Sequence, residues 1–301
     1  MNIRRINWRH FRNRKAMNIT FCLQRAAELQ AASDSANLDV ELLLAHVLEK
    51  DRAYLFTWPE KNLSADQCAK FEKLLARRVT GEPIAYILGL WEFWSLPLRV
   101  NSSTLIPRPD TELLVELALA HLPKTSAQIL DLGTGTGAIA LALASENSVW
   151  AIQALDFSAD ACELAESNRQ QLNLPNVRVR QSHWFSVFDA APEQTQFDLI
   201  VSNPPYIDKN DRHLTEGDLR FEPLSALVAE SAGLADFQHI ATAAPAYLTA
   251  AGWLLFEHGC DQAAAVQAIL IQAGFSHVQT QQDLNGLDRV TLGRLNQELQ
   301  R

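Results

Sequence analysis

The segment Ile129-Leu130-Asp131-Leu132-Gly133-Thr134-Gly135-Thr136-Gly137-Ala138-Ile139-Ala140 constrains the fold more than any other stretch of the chain. Its apolar start reads as a short buried strand, its three alternate glycines as a tight turn, and its Ala/Leu continuation as a helix. Glycine permits positive φ and lets the backbone approach a ligand that any Cβ would obstruct. The next apolar run, Ala151-Ile152-Gln153-Ala154-Leu155-Asp156, ends in a carboxylate 19 positions after Gly137. An acid placed there accepts hydrogen bonds from both hydroxyls of a ribose. Strand, glycine turn, helix, strand and acid in that order require a parallel sheet covered by helices on both faces.

The alternation persists downstream. Strands are expected at 128–132, 151–156, 176–181, 197–202 and 253–257, with helices at 111–121, 138–145, 159–172, 234–250 and 261–273. Two last strands, 275–281 and 288–294, flank Leu284-Asn285-Gly286 and read as an antiparallel hairpin. Upstream, residues 18–81 carry apolar positions at helical spacing, most clearly Asp39-Val40-Glu41-Leu42-Leu43-Leu44, and Gly81 with Pro83 supplies a stop. Residues 84–106 mix aromatic and β-branched residues with Gly89, Pro97 and Asn101-Ser102, and read as a hairpin linker in which Trp91, Phe93 and Trp94 serve packing. Ligands of parallel sheets lie beyond the carboxyl ends of strands. The glycine loop, Asp156, Trp184 and Asn203 all follow strand ends, so they converge on one crevice.

The residues after the 197–202 strand specify the chemistry. In Asn203-Pro204-Pro205-Tyr206, Asn203 offers a side-chain carbonyl and Pro204 a backbone carbonyl with no competing N–H, so two acceptors face the two hydrogens of a planar NH2 group. Tyr206 then lies flat against that group. Asn-Pro and Pro-Pro are separately ordinary turn punctuation; all four residues together behind a strand describe a receptor for an amide or aromatic amine. Such a nitrogen is a poor nucleophile because its lone pair is delocalised, and it needs an electrophile held in line. A sulfonium methyl is that electrophile, so S-adenosyl-L-methionine suits the crevice, with S-adenosyl-L-homocysteine as product. A nicotinamide dinucleotide suits it less well. The loop is Gly-x-Gly-x-Gly rather than a clean Gly-x-Gly-x-x-Gly, a long segment precedes the glycine strand, and Asn-Pro-Pro-Tyr has no role in hydride transfer.

Composition removes other classes. A chain of 301 residues, 48% hydrophobic, buries a substantial core and suggests one large domain with a smaller one. A net charge of -9 opposes tight attachment to duplex nucleic acid, and no apolar run reaches membrane-spanning length. Cys22, Cys68, Cys162 and Cys260 are scattered without a Cys-x-x-Cys pair or a secretory signal, which points to a reducing cytoplasm. The histidines show no ligand spacing, and His258 beside Cys260 and Asp261 reads as a strand-end loop, so no metal is expected. Residues 1–16 contain Arg4, Arg5, Arg9, Arg12, Arg14 and Lys15 with no acid, and are expected to be a disordered, dispensable leader, with Met17 opening the functional chain.

From Met17 onward the chain resembles the HemK/PrmC-type family of peptide chain release factor N5-glutamine methyltransferases. The resemblance rests on Gly81-Glu82-Pro83-Ile84-Ala85-Tyr86, Glu92-Phe93-Trp94-Ser95-Leu96-Pro97-Leu98, Leu105-Ile106-Pro107-Arg108-Pro109-Asp110-Thr111-Glu112, the glycine loop, Asn203-Pro204-Pro205-Tyr206-Ile207, and Arg220-Phe221-Glu222-Pro223. It implies a Rossmann-like, seven-stranded S-adenosylmethionine-dependent domain at 107–301, a substrate-docking helical bundle at 17–82, and a β-hairpin linker at 83–106. It implies cofactor contacts at Gly133, Thr134, Gly135, Thr136, Gly137, Asp156, Trp184 and Asn203. Substrate contacts fall on Asn203, Pro204, Pro205 and Tyr206, with Asn203, Pro204 and Tyr206 catalytic. The implied substrate is the glutamine of the Gly-Gly-Gln loop in class I release factors, acted on by a monomer. His183 stands where relatives commonly carry Asp before the adenine-covering aromatic, which removes one expected hydrogen bond to the adenine edge. A ribosomal-protein glutamine methyltransferase shares both motifs, and an adenine-N6 DNA methyltransferase shares Asn-Pro-Pro-Tyr but needs a basic region to hold and flip a base.

Overall fold

Side-chain caps start the first helices of the computed structural model, which describes residues 17–189 and 195–295 and so leaves the basic leader outside the described residues. Asn18 accepts the Phe21 N–H at 2.9 Å and opens α1 (Ile19–Gln24). After α2 (Ala36–Leu48), Asp51 caps α3 (Arg52–Thr57), accepting the Tyr54 N–H at 2.8 Å. Ser64 and Gln67 cap each other reciprocally at the head of α4 (Ala65–Val79). A fifth helix, α5 (Ile84–Leu88), ends this first unit, and a second unit begins at Gly89.

The first unit is pinned by one buried ion pair. Arg78 of α4 donates Nε to Asp39 Oδ2 of α2 at 2.6 Å, and its Nη1 reaches the carbonyls of Gly81 (3.2 Å) and Glu82 (3.0 Å). The pair's side chains are 5% and 2% exposed, so each charge depends on the other for solvation. Arg78 also satisfies two carbonyls just beyond α4, which holds the turn that follows the helix.

In the second unit, β1 (Leu90–Phe93) and β2 (Leu96–Arg99) form a hairpin, followed by α6 (Glu112–His121). The alternation then runs β3 (Gln128–Leu132), α7 (Ala138–Glu146), β4 (Ala151–Asp156), α8 (Ala159–Gln171), β5 (Val177–Gln181) and β6 (Phe197–Ser202). A small parallel pair, β7 (Ile207–Asp208) and β8 (Val228–Ala229), precedes the one-turn α9 (Glu230–Gly233), α10 (Ala235–Ala243), β9 (Leu248–Glu257), α11 (Ala263–Gln272), β10 (Phe275–Gln282) and β11 (Asp288–Leu295). The main sheet has seven strands in the order β10-β11-β9-β6-β3-β4-β5, with β10 and β11 antiparallel. Along β3, Ile129 joins the core on one face and Leu130 and Leu132 the core on the other. Burial on both faces is what the unbroken apolar runs of the sequence encode. The chain moves outward from β3 to β4 and β5, then returns to the other side of β3 as β6, which creates the switch point where a ligand cleft opens.

The structure departs from the sequence reading at two places. Residues 84–106 do not form one hairpin linker: Ile84–Leu88 is helical, with Ile84, Ala85 and Ile87 buried and the Pro83 carbonyl accepting the Ile87 N–H at 3.1 Å. Burial of that short apolar face overrides the β preference of its side chains. The helix expected at 234–250 ends at Ala243 in a tight turn containing Pro245, and β9 begins at Leu248 rather than 253. Leu248 pairs with Phe197, and a bulge with Ala251 at φ 68° restores the register further along, a tertiary pairing with no local signal. Among the described residues no helix is long and apolar enough to cross a membrane. Arg78→Ala strands the Asp39 carboxylate, and is expected to destabilise the first unit by about 3–5 kcal/mol in urea denaturation of the full chain; an unchanged midpoint contradicts the pinning role.

Candidate active site

The glycine turn is shaped by hydrogen bonds before any ligand is considered. Gly133 and Thr134 N–H groups both donate to the Leu155 carbonyl at 2.9 Å, clipping the turn to the end of β4. Asp131 is fully buried beneath it, accepting from the Thr134 hydroxyl at 2.6 Å and the Ala140 N–H at 3.3 Å. Its Oδ1 has no partner among the described residues, and burial pushes its carboxyl up to about 7. Asp131 therefore holds the turn against the first turn of α7 and does not face the cleft.

Gly133, Gly135 and Gly137 adopt φ of 72°, 56° and 86°, which a side chain rarely tolerates. Their roles differ. A Cβ on Gly133 would meet only Trp184 Cζ3 at 3.8 Å, and one on Gly135 only Thr104 Cβ at 3.9 Å, ordinary van der Waals contacts, so at both positions it is the positive φ and not crowding that calls for glycine. A Cβ on Gly137 would press on Leu141 Cδ1 at 3.0 Å and Ala165 Cβ at 3.3 Å. Gly137 thus secures helix packing and is not among the residues that line the cleft.

Asp156 ends β4 in the same cleft. Its Oδ2 accepts the Gly135 N–H and its Oδ1 the Ser158 N–H, both at 2.9 Å, and the Phe157 N–H also donates to the carboxylate, which leaves only its remaining acceptor capacity for a ligand hydroxyl. Burial raises its carboxyl above the usual range, offset by those backbone donors. Phe157, Trp184 and His183 add aromatic faces to the cleft wall, with His183 edge-on to Phe157 at 5.8 Å and to His239 at 6.0 Å. Asp236 also lines the cleft and is attracted to both His239 and His183. His183 is exposed, and its ring stands among Phe157, His239 and Asp236 at the edge of the cleft.

Asn203, Pro205, Thr111, Thr104 and Val228 line the same cleft. The cleft encloses about 330 Å³, within the range of small-molecule sites. Backbone without side chains at Gly133 and Gly135, a carboxylate acceptor at Asp156, aromatic faces and the apolar Leu132, Leu105 and Ile139 fit the parts of S-adenosylmethionine. Tyr206 packs on the core below β6 and is not among the residues that line this cleft, where the sequence suggested that it would lie flat against the amide. The reason is a polar layer that the sequence reading missed. Tyr206 sits among Glu257, Arg289, Arg108 and Asp110, where burial and Glu257 push its phenol up to about 12. Asn203 Nδ2 donates to Thr111 Oγ1 at 3.4 Å.

Two further supports are invisible in local sequence. Arg108 pairs with Glu222 at 2.6 Å; the Glu222 side chain is wholly buried, and the bond ties the Pro107–Asp110 region to the segment that carries Ser225, Ala226 and Val228 to the cleft. Gly233 has φ 81°, and a Cβ there would stand 2.1 Å from the Tyr206 carbonyl oxygen, which also accepts from Gln262 Nε2 at 3.0 Å. Gly233→Ala is expected to cost more than about 1 kcal/mol of stability and to lower turnover by displacing the Asn-Pro-Pro-Tyr backbone. Denaturation and turnover measured on one preparation check this; an unaltered variant shows that the contact yields without consequence.

Comparison with known proteins agrees with this architecture. Residues 22–89 match the PrmC N-terminal domain and residues 110–218 the Methyltransferase small domain. A Vibrio cholerae protein named release factor glutamine methyltransferase is 54% identical over 285 residues, spanning 94% of this chain and 99% of that protein. An Escherichia coli protein of the same name is 50% identical over 275 residues, spanning 91% and 98%. In fold alone, the chain is similar to the crystal structure of a methyltransferase from Pyrococcus furiosus, with a TM-score of 0.50 and 17% identity over 67% of this chain and 89% of that one. The extent and level of identity show that the chain belongs to the release factor glutamine methyltransferase family.

Proposed function

We propose that the protein transfers a methyl group from S-adenosyl-L-methionine to the side-chain amide nitrogen of the glutamine in the Gly-Gly-Gln loop of class I release factors. The observation that carries this reading is the position of Asn203. Its carboxamide lies at the end of β6, in the same cleft as the glycine turn and Asp156. Gly133 to Thr136, Asp156 and Trp184 would hold the cofactor, which supplies a methyl carbon bonded to a positively charged sulfur. The chain's own residues then have two tasks. Asn203 Oδ1 and the Pro204 carbonyl each accept one hydrogen of the substrate NH2, and this fixes the plane of the group with its lone pair toward the cofactor. The same acceptors favour the positive charge that grows on nitrogen as it attacks. The surplus proton leaves to water, because a protonated amide nitrogen is strongly acidic. Tyr206 supports this arrangement from beneath through its place in the polar layer, a role different from stacking.

The net charge of -9 argues against the DNA adenine reading. A ribosomal-protein glutamine substrate would use the same cleft, and the substrate assay separates the two. The protein is proposed to act as a monomer in the cytoplasm. Docking of the protein substrate falls to the first unit, where Phe56 and Trp58 are 61% and 57% exposed. Large exposed aromatics of this kind mark interaction surfaces.

The decisive measurement is labelled methyl transfer to purified release factor, alongside a loop variant with Gln replaced by Ala, ribosomal protein and DNA. Label is expected on the intact release factor alone; transfer to the loop variant, or to DNA in preference, removes the assignment. Asn203→Ala should lower kcat by about 100-fold or more while cofactor affinity holds, and near-normal turnover eliminates the orientation role. Replacing Phe56 and Trp58 together by Ser should raise KM for release factor with kcat preserved; an unchanged KM rules out this docking face.

A further inference from the structure

Glu257 ends β9 directly behind the Asn-Pro-Pro-Tyr segment, fully out of solvent, and no step derived above uses it. Its carboxylate receives hydrogen bonds from the side chains of Thr111 and Asn203, yet Oε2 has no partner among the described residues. Arg289 is the cation that acts on it, but it is shared: its Nη2 lies 3.2 Å from Asp283 Oδ2 and 3.4 Å from Asp110 Oδ2. A buried carboxylate with an unsatisfied oxygen and a divided counter-charge opposes folding. Its placement instead has a consequence for the polarity of the hydrogen bonds above it.

An ionised carboxylate only accepts, and a threonine hydroxyl has one hydrogen to give. With the Thr111 O–H committed to Glu257, Thr111 Oγ1 has only lone pairs left for Asn203. Asn203 must then present its NH2 inward, as the 3.4 Å bond from Nδ2 to Thr111 Oγ1 records. The direct bond from Asn203 to Glu257 has the same sense. The oxygen and nitrogen of an asparagine amide are distinguished only by such partners. We propose that Glu257 is a positioning residue which, through Thr111, sets the sense of the Asn203 amide so that its oxygen, and not its NH2, meets the nitrogen of the substrate amide.

This inference rests on the transfer reading above and adds a cause for the acceptor that reading requires. If a donor replaces the acceptor at position 257, the chain of bonds can reverse. The new donor serves Thr111 Oγ1, the Thr111 O–H serves Asn203 Oδ1, and the Asn203 NH2 turns toward the substrate NH2, opposing donor to donor. Protonation of Glu257 has the same effect as an amide there. Burial pushes the Glu257 carboxyl up to about 7, against the lowering influence of Thr111, Arg289 and Asn203. Above that pH the carboxylate is ionised and the amide correctly set; below it the added proton permits reversal, so kcat falls as pH falls. Asp110, the Tyr206 phenol and Arg289 face the same group, and the adjoining His258, held below its ordinary value by burial, is bound to Thr291 and the Gly259 carbonyl.

The test compares the full-length wild-type chain with Glu257→Gln, Thr111→Val and Thr111→Ser, at saturating cofactor with release factor as substrate. Absence of wild-type turnover overturns the transfer reading and the inference together. Given wild-type turnover, Glu257→Gln at pH 8 is expected to lower kcat by about 100-fold, with KM for release factor and the Kd of S-adenosylhomocysteine changed by less than about threefold. The acid limb of the wild-type kcat profile, centred near the Glu257 value of about 7, should vanish in this variant. Its Tm should be equal to or above that of the wild type at pH 8, because a buried charge has been removed. Thr111→Val should reproduce the kcat loss and Thr111→Ser should restore turnover. Normal kcat in Glu257→Gln, a retained acid limb, or a fall in Tm alongside weakened cofactor binding overturns the positioning role.

Discussion

The parallel pairing of β3 with β6 is the constraint on which the site depends. Leu132 lies opposite Ser202, and the buried Ser202 hydroxyl donates to the Leu132 carbonyl at 2.7 Å. That bond fixes the last residue of each strand, so Gly133 and Asn203 emerge side by side from one edge of the sheet. A receptor for a methyl donor and a receptor for a nitrogen acceptor are thereby held by backbone ladders, which are far stiffer than two loops. Chain order alone does not give this neighbourhood, because β4 and β5 lie between β3 and β6 in sequence and on the far side of β3 in space.

Three carboxylates stand at or near strand ends around this edge, and each is raised by burial: Asp131, Asp156 and Glu257. Their tasks are distinct. Asp131 braces the glycine turn from within, Asp156 offers its remaining lone pairs to the cleft, and Glu257 orders the hydrogen bonds behind Asn203. All three weaken the folded state at neutral pH relative to their protonated forms, since a raised folded value means that stability declines as pH rises toward it. A sheet with two well-filled faces carries that load, and the cleft owes its chemistry to charges that the core tolerates.

Much of the fold was legible in the sequence because it is encoded locally. Short apolar runs bounded by turn residues and by Ala/Leu-rich helical stretches located β3, β4, β6, α7 and α8 within a residue or two, and Asn285-Gly286 marked the final turn. The failures share a cause. Ile84–Leu88 becomes a helix because neighbours bury one side of it, and β9 begins at Leu248 because Phe197 pairs there. Within the candidate site, spacing placed Gly133, Gly135, Asp156, Trp184 and Asn203 on one cleft, but could not tell that Gly137 faces Leu141 and Ala165 or that Tyr206 is drawn down toward Glu257 and Arg289. A glycine required by φ and packing looks the same in sequence as one required by a ligand.

The sequence by itself determined the order of strands and helices, the turn that exposes backbone to a ligand, and the paired acceptors for an NH2 group, because dihedral freedom, side-chain period and donor count are properties of residues and near neighbours. Tertiary structure alone decided which of those groups remain free to act. Thr111 meets Asn203 across a separation of 92 residues and Arg108 meets Glu222 across 114. Whether an acceptor faces substrate or is already satisfied is settled by hydrogen bonds between positions that only the folded sheet brings together.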